Sequence, residues 1–258
     1  MARIFDFTQA IMRRPGASVV KGLRKGGGPD PSFEGVLREH SAYASALTAA
    51  GLRVTMLDPL EDFPDAIFVE DPALVFPEAA ILLNPGAPSR AGEGEHLRAE
   101  FATRFPAVLD LPAGHADGGD VLVLPDRILI GLSARTDRTG AEALADLLEG
   151  LGRRAVVTET PRDVLHQKTA SSLIDEETVL ASPALAATGV FAGLRVLEVP
   201  AGEEAGANVL RVNDTLIVGA GYPRLQDMLD GHGARVVPLE NSEIAMIDAG
   251  FTCMSLRW

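Results

Sequence analysis

The sequence has a single cysteine, Cys253, in 258 residues. No internal disulfide can form, and zinc sites built from several cysteines are excluded. Cations are also scarce. Lys and Arg total 23 against 36 Asp and Glu, a formal charge of −13, which leaves no cationic surplus to displace counterions from a nucleic-acid backbone. A run of about 18 apolar residues, the minimum for a bilayer-spanning helix, is missing. The first residues, MARIFDFTQAIMRR, lack the basic-then-apolar order of a secretory signal. These absences predict an acidic, soluble, cytoplasmic protein with no nucleic-acid or membrane partner. At 47% apolar and 23% charged the chain has ordinary globular composition. No linker divides it, so one domain over 1–258 is expected.

Short apolar runs bounded by turn residues predict strands at Ile67–Val69, Ala80–Leu83, Val121–Leu124, Ile128–Gly131, Thr178–Ala181, Val196–Val199, Val209–Val212, Leu216–Val218 and Ala234–Val237. Helical spacing predicts helices over Phe33–Ala50, Glu93–Phe105 and Thr139–Leu151. Asp120-Val-Leu-Val-Leu-Pro-Asp126 with Ile128–Gly131 repeats as Asn208-Val-Leu-Arg-Val-Asn-Asp214 with Leu216–Gly219, an offset of 208 − 120 = 88. Weaker copies start at Asp71 and Ser171. Units of strand, tight turn, strand and helix recur every ~40–50 residues, which predicts about five of them arranged as an α/β propeller. Chance likeness between hairpins is the alternative. The stretch Lys25-Gly-Gly-Gly-Pro-Asp-Pro31 is either a slack connector or a lid over a site.

A lone cysteine is by default a small buried hydrophobe, and as a nucleophile it needs a histidine and a carboxylate brought to it by the fold. Of the five histidines, His40 and His96 are expected on helices facing solvent, and His232 lies in a Gly-His-Gly turn. Spacing alone does not choose between His115 and His166, and no histidine spacing reads as a metal site. The acidic clusters are Asp62, Asp65, Glu70 and Asp71, and Asp117 with Asp120. Converging carboxylates would suit a planar guanidinium. For the repeated Asp/Asn position, hydrogen bonding to a hairpin turn is an equally simple reading.

Taken together, Phe63-Pro-Asp-Ala-Ile-Phe-Val-Glu-Asp-Pro72, Asp117-Gly-Gly-Asp120, Ile130-Gly-Leu-Ser-Ala-Arg-Thr136, Leu165-His-Gln-Lys-Thr169, Ala220-Gly-Tyr-Pro223 and Thr252-Cys-Met-Ser-Leu256 resemble the dimethylarginine dimethylaminohydrolase family of guanidino-group-modifying enzymes. The likeness covers nearly the whole chain, in order. It implies a five-bladed α/β propeller (pentein) fold, no cofactor, no metal, and a small guanidino amino acid as partner, and it leaves room for a homodimer. It implies a hydrolase that converts methylated arginines to citrulline through a covalent thiouronium. Cys253 would be the nucleophile, His166 the general acid/base, and Asp117 the carboxylate orienting His166. Asp71, with Glu70 beside it, would hold the guanidinium. Asp65 and the main chain at Leu23 would meet the substrate amino group, Arg90 and Arg135 its carboxylate, and Ile247 would be a further substrate-binding residue. Asp117 stands where some relatives carry the longer Glu, His115 has no counterpart, and Met246 replaces a lysine of several relatives. The competing implications are an arginine deiminase or citrulline hydrolase and, more remotely, a non-enzymatic propeller binding a macromolecule.

Overall fold

Among the described residues five three-stranded sheets form the protein, each an antiparallel pair extended by a parallel third strand across a helical connection. The computed structural model describes residues 3–26 and 28–258. In chain order the strands are β1 (Gln9–Arg13), β2 (Arg53–Leu57), β3 (Ala73–Phe76), β4 (Ala79–Leu82), β5 (Val108–Asp110), β6 (Val121–Val123), β7 (Ile128–Leu132), β8 (Ala155–Glu159), β9 (Ser171–Leu173), β10 (Thr178–Ala181), β11 (Arg195–Glu198), β12 (Leu210–Val212), β13 (Thr215–Gly219), β14 (Arg235–Leu239) and β15 (Leu256–Arg257). Four blades are consecutive: β3-β4-β5, β6-β7-β8, β9-β10-β11 and β12-β13-β14. The fifth joins the two ends of the chain, because β15 pairs antiparallel with β1 (Ala10↔Arg257), which runs parallel to β2. Ring closure therefore carries Cys253 from the far end of the sequence to the blade built by the first strand.

The helices α1 (Phe33–Ala49), α2 (Glu95–Arg104), α3 (Arg138–Gly150), α4 (Pro183–Ala186) and α5 (Pro223–Leu229) make the parallel crossovers. Their starts follow local chemistry. Ser32 and Asp137 accept the Gly35 and Gly140 N–H groups as N-caps, satisfying donors a helix leaves open. One face of α3 buries Ala141, Leu144 and Leu148 against Leu74, Phe76 and Ile81 of the preceding blade and Ile128 and Ile130 of its own. The core is thus a ring of clusters between neighbouring blades. Strands β4, β10 and β13, each central in its blade, are buried along their whole length, which is why they read as unbroken apolar runs.

The repeated Asp/Asn does not hold its own hairpin. Asp71 Oδ1 accepts Gly119 N–H (3.2 Å), Asp120 Oδ1 accepts Gln167 N–H (2.9 Å), and Asn208 Oδ1 accepts Thr252 N–H (3.0 Å). Each reaches a 3-10 turn at the entry to the inner strand of the next blade: Gly118–Asp120, Gln167–Thr169 and Thr252–Met254. A buried hydrogen bond of this kind contributes about 1–3 kcal/mol and fixes the phase of one blade against the next.

Two expectations are corrected. Ile67–Val69 is buried but lies in a run of turns rather than a strand. His40 is 3% exposed, packed inward from α1 rather than facing solvent, whereas His96 is exposed as expected. Among the described residues no helix is long and apolar enough to cross a membrane. Gly27, in the middle of the glycine run, lies outside the described residues.

Candidate active site

The blade-entry turns supply the candidate residues. Asp117 is the N-cap of Gly118–Asp120, His166 is the N-cap of Gln167–Thr169, and Cys253 is the middle residue of Thr252–Met254. Residues 70 and 71 immediately precede Pro72 and β3. The same local device, repeated around the ring, brings together segments 46 to 183 positions apart in sequence (from 117 − 71 and 253 − 70).

His166 Nε2 lies 3.0 Å from Asp117 Oδ2. The other Asp117 oxygen accepts Gly86 N–H (2.8 Å), and Asp117 N–H donates to Thr136 Oγ1 (3.1 Å). Main-chain position thus offsets the short side chain. Asp120, wholly buried, accepts from Ser133 Oγ (2.6 Å) and Thr136 Oγ1 (2.7 Å) and holds the main chain beside His166 through Gln167 N–H. Gly119 packs against the imidazole. A Cβ there would sit 2.7 Å from His166 Nδ1 and 2.9 Å from Asp71 Oδ1, so this position requires glycine by close approach. No hydrogen bond to His166 Nδ1 is formed among the described residues. One oxygen or nitrogen each of Asp71, Asp117 and His166 lies within 4.8 Å of the others. Asp71 is paired with Arg90 and Asp117 with His166, so the trio forms a charge-paired network.

Burial works against a charged His166, but Asp71, the Asp117 hydrogen bond and Asp120 outweigh it and lift the imidazole to about 9. It is an imidazolium at neutral pH. Burial likewise opposes ionisation of Asp71, yet Arg90 and His166 hold it below the usual carboxylate range. Cys253, 9% exposed, goes the other way: burial, then Glu70 and Asp71, push its thiol up to about 12. Its Sγ approaches Thr252 Oγ1 at 4.0 Å and is not hydrogen-bonded to His166.

The remaining predicted residues divide. Asp65 accepts Leu23 N–H (2.9 Å), and a Cβ on Gly22 would touch both Asp65 and Ile247 at 3.2 Å. Leu23, Asp65 and Ile247 therefore share one wall. Arg135 is half-buried, forms no side-chain hydrogen bond or ion pair among the described residues, and is close enough to lower the Asp65 carboxyl, which burial raises. Arg90 differs from the expectation of a free cation. It is 3% exposed and pairs with Asp71 and bidentately with Glu93 (2.6 and 2.7 Å). Its Nη2 also donates to Phe68 O and Asp65 O, which leaves one Nη1 hydrogen. Glu70 has partners of its own: its carboxylate bonds Lys168 (2.5 Å) and Arg257 (3.3 Å) and lines a central cavity of about 550 Å³. Of the two histidines left open by spacing, His166 is buried in the acidic network and His115 is exposed. Sequence reasoning passed over Gly119, Lys168, Glu93 and Arg257. The paired glycines of Asp117-Gly-Gly-Asp120 and one of only three lysines were the available signals for the first two.

Five blades with a buried cysteine, histidine and carboxylates on their entry turns define the guanidino-group-modifying class of propeller. The arginine deiminase family model matches residues 37–203. The N(G),N(G)-dimethylarginine dimethylaminohydrolase of Pseudomonas aeruginosa is 35% identical over 254 residues, 98% of this chain and all of that protein. Its Streptomyces coelicolor namesake is 33% identical, covering 96% of both chains. A crystal structure of the Pseudomonas enzyme, a cysteine-to-serine mutant with citrulline, superposes with a TM-score of 0.95 at 36% identity, covering 98% of this chain and 100% of the other. The N-terminal domain of the cyanobacterial arginine dihydrolase ArgZ shares the fold at 18% identity and a TM-score of 0.84. This chain belongs to the dimethylarginine dimethylaminohydrolase family.

Proposed function

We propose that the protein hydrolyses Nω-methylated arginines, asymmetric dimethylarginine and monomethylarginine, to citrulline and dimethylamine or methylamine. The observation that carries this is the His166 imidazolium, pinned at Nε2 by Asp117, with Nδ1 unbonded next to the Asp71 carboxylate. Asp71 anchors the guanidinium plane, and Arg90 keeps Asp71 ionised. Leu23, Asp65 and Ile247 hold the amino end. Arg135 supplies the free guanidinium for the carboxylate, and Arg90 adds at most its remaining Nη1 hydrogen.

The resting thiol is neutral, and the substrate helps ionise it. A unit positive charge about 4 Å away at an effective dielectric near 20 favours the thiolate by about 4 kcal/mol. That is about three pKa units, enough to bring Cys253 from about 12 to the neighbourhood of 9. The thiol proton leaves to solvent. The thiolate attacks the guanidinium carbon, and His166 Nδ1 delivers its proton to the departing amine. The C–N bond breaks and a thiouronium remains on Cys253. Neutral His166 then takes a proton from water, the hydroxide adds to the same carbon, and the C–S bond breaks as the adduct's hydroxyl proton passes to the leaving sulfur, releasing citrulline and the neutral thiol. A nucleophile that must stay a free thiol suits the reducing cytoplasm.

Citrulline release from asymmetric dimethylarginine, monomethylarginine and arginine, and ornithine release from citrulline, are measured with purified protein. Citrulline should appear from the methylated substrates at least tenfold faster than from arginine. Preference for arginine, or ornithine as the product, would overturn the assignment. Cys253→Ser should be inactive yet folded, and substantial residual turnover would remove Cys253 as nucleophile.

A further inference from the structure

Behind the nucleophile lies a buried ionic group that the reaction above does not use. Glu70 N–H donates to Cys253 C=O (3.1 Å), so the two chain segments are locked together. From there the Glu70 carboxylate takes Lys168 Nζ (2.5 Å) and Arg257 Nη2 (3.3 Å). Arg257 Nη1 donates to Thr252 O (3.2 Å), Ser255 O (2.6 Å) and Ser255 Oγ (2.5 Å), gripping the turn on both sides of Cys253. Ser255 Oγ in turn meets Tyr43 OH at 2.6 Å. Glu70 and Lys168 are 3% and 8% exposed. Glu70 Oε2 and Arg257 Nε are buried with no partner, and all three residues line the central cavity. Such a group is costly to bury and contributes little net stability, so its place under the thiol calls for a reason.

We propose that Glu70, Lys168 and Arg257 are positioning residues that hold the Cys253 turn and adjust the ionisation of its thiol, with Glu70 disfavouring the thiolate of the free enzyme and the two cations limiting that effect. The inference rests on Cys253 being the nucleophile. The other charged or titratable groups around this turn are Asp71 and His166 on neighbouring turns and Tyr43 on α1. Tyr43 is neutral, because burial raises its hydroxyl to about 12. The consequence is a cysteine whose charge balance in the ligand-free protein is set in part by Glu70, Lys168 and Arg257.

The test is alkylation of the ligand-free protein by iodoacetamide at pH 8.5, followed by mass. Cys253 is the sole cysteine, so the rate reports this thiol whether or not the protein turns over methylarginines. A change of about one pKa unit alters the thiolate fraction tenfold, and the rate about threefold once the accompanying change in nucleophilicity is included. Glu70→Gln should react about threefold faster and Lys168→Met about threefold slower, since Arg257 still pairs with Glu70. The double variant and Lys168→Arg should lie within twofold of the parent. Loosening of the turn would speed both single variants, so equal signs, or no change in either, would overturn the proposal. If the opposed shifts appear in a protein that releases no citrulline, the functional reading fails and this one stands.

Discussion

Asp117→Asn tests the electrostatics of the site most directly. Asp117 is one of three carboxylates that lift His166 from 6.5 to about 9 against burial, a difference of about 3 kcal/mol in favour of the imidazolium. The substitution keeps the shape and removes both the charge and the acceptor for Nε2–H. With Asp71 and Asp120 left in place, His166 should fall to about 7.5. The reactive form, thiolate with imidazolium, is one proton short of the resting form. kcat/KM should therefore climb with pH until His166 deprotonates and then level off. In the parent that break is expected near 9. In the variant it should move to about 7.5, and the plateau should drop about 30-fold, while the proton inventory at pH 6.5 is nearly unchanged. A pH-independent loss from a misoriented ring adds about 10- to 100-fold. Stability follows the same sign. The contribution of the raised His166 is full below 6.5 and lost as pH rises through about 9, so the variant's Tm deficit should be larger at pH 6.5 than at pH 10. The assay is kcat/KM for asymmetric dimethylarginine from pH 6 to 10. A deficit of the same size at pH 6.5 and 9.5, with the break still near 9, would refute the reasoning.

Arg135→Ala should raise KM about 10- to 100-fold with little change in kcat, the loss of about 1.5–3 kcal/mol from a charged hydrogen bond. A preference for agmatine-like amines in the parent would show that no carboxylate grip exists. Arg90→Ala should behave differently, lowering stability by about 3–5 kcal/mol because Asp71 and Glu93 are left buried without their cation; an unchanged denaturant midpoint would count against the strut. Gly119→Ala places a Cβ 2.7 Å from His166 Nδ1 and should cut kcat far more than it raises KM, with a packing cost of about 1–3 kcal/mol. Full activity there would mean the imidazole is not held where described. His40 is pulled by burial from 6.5 to about 4, so the neutral ring's contribution is complete above about pH 6.5 and drains as pH falls towards 4, by about 3 kcal/mol. Tm measured at pH 7.5 and 4.5 should fall less in His40→Leu than in the parent; an equal fall would assign the acid sensitivity elsewhere.

The sequence by itself determined the blade. Apolar runs such as Ile128–Gly131 and Thr178–Ala181 are legible because a buried central strand is mostly apolar. The 88-residue echo of Asp120 in Asn208 exposed the repeat because each blade must make the same bond to its neighbour. Half-exposed outer strands such as Arg53–Leu57 and Ala155–Glu159 carry mixed patterns, and short Val108–Asp110 carries almost none, so they were not legible. The motifs also singled out Cys253, His166, Asp117 and Asp71 as candidates. Tertiary structure alone decided their company. It separated His166 from His115, because only the ring's closure sets one histidine among carboxylates. It sent the adjacent Glu70 and Asp71 to different partners, because the turn that carries both brings one carboxylate to Lys168 and Arg257 and the other to Arg90. Arg90 became a buried strut for Asp71, while Arg135 stayed free. The scarce cysteine is legible as a single letter, but its neutral thiol depends on burial and on charges that approach it from two other turns, a property of the folded ring that no local pattern encodes.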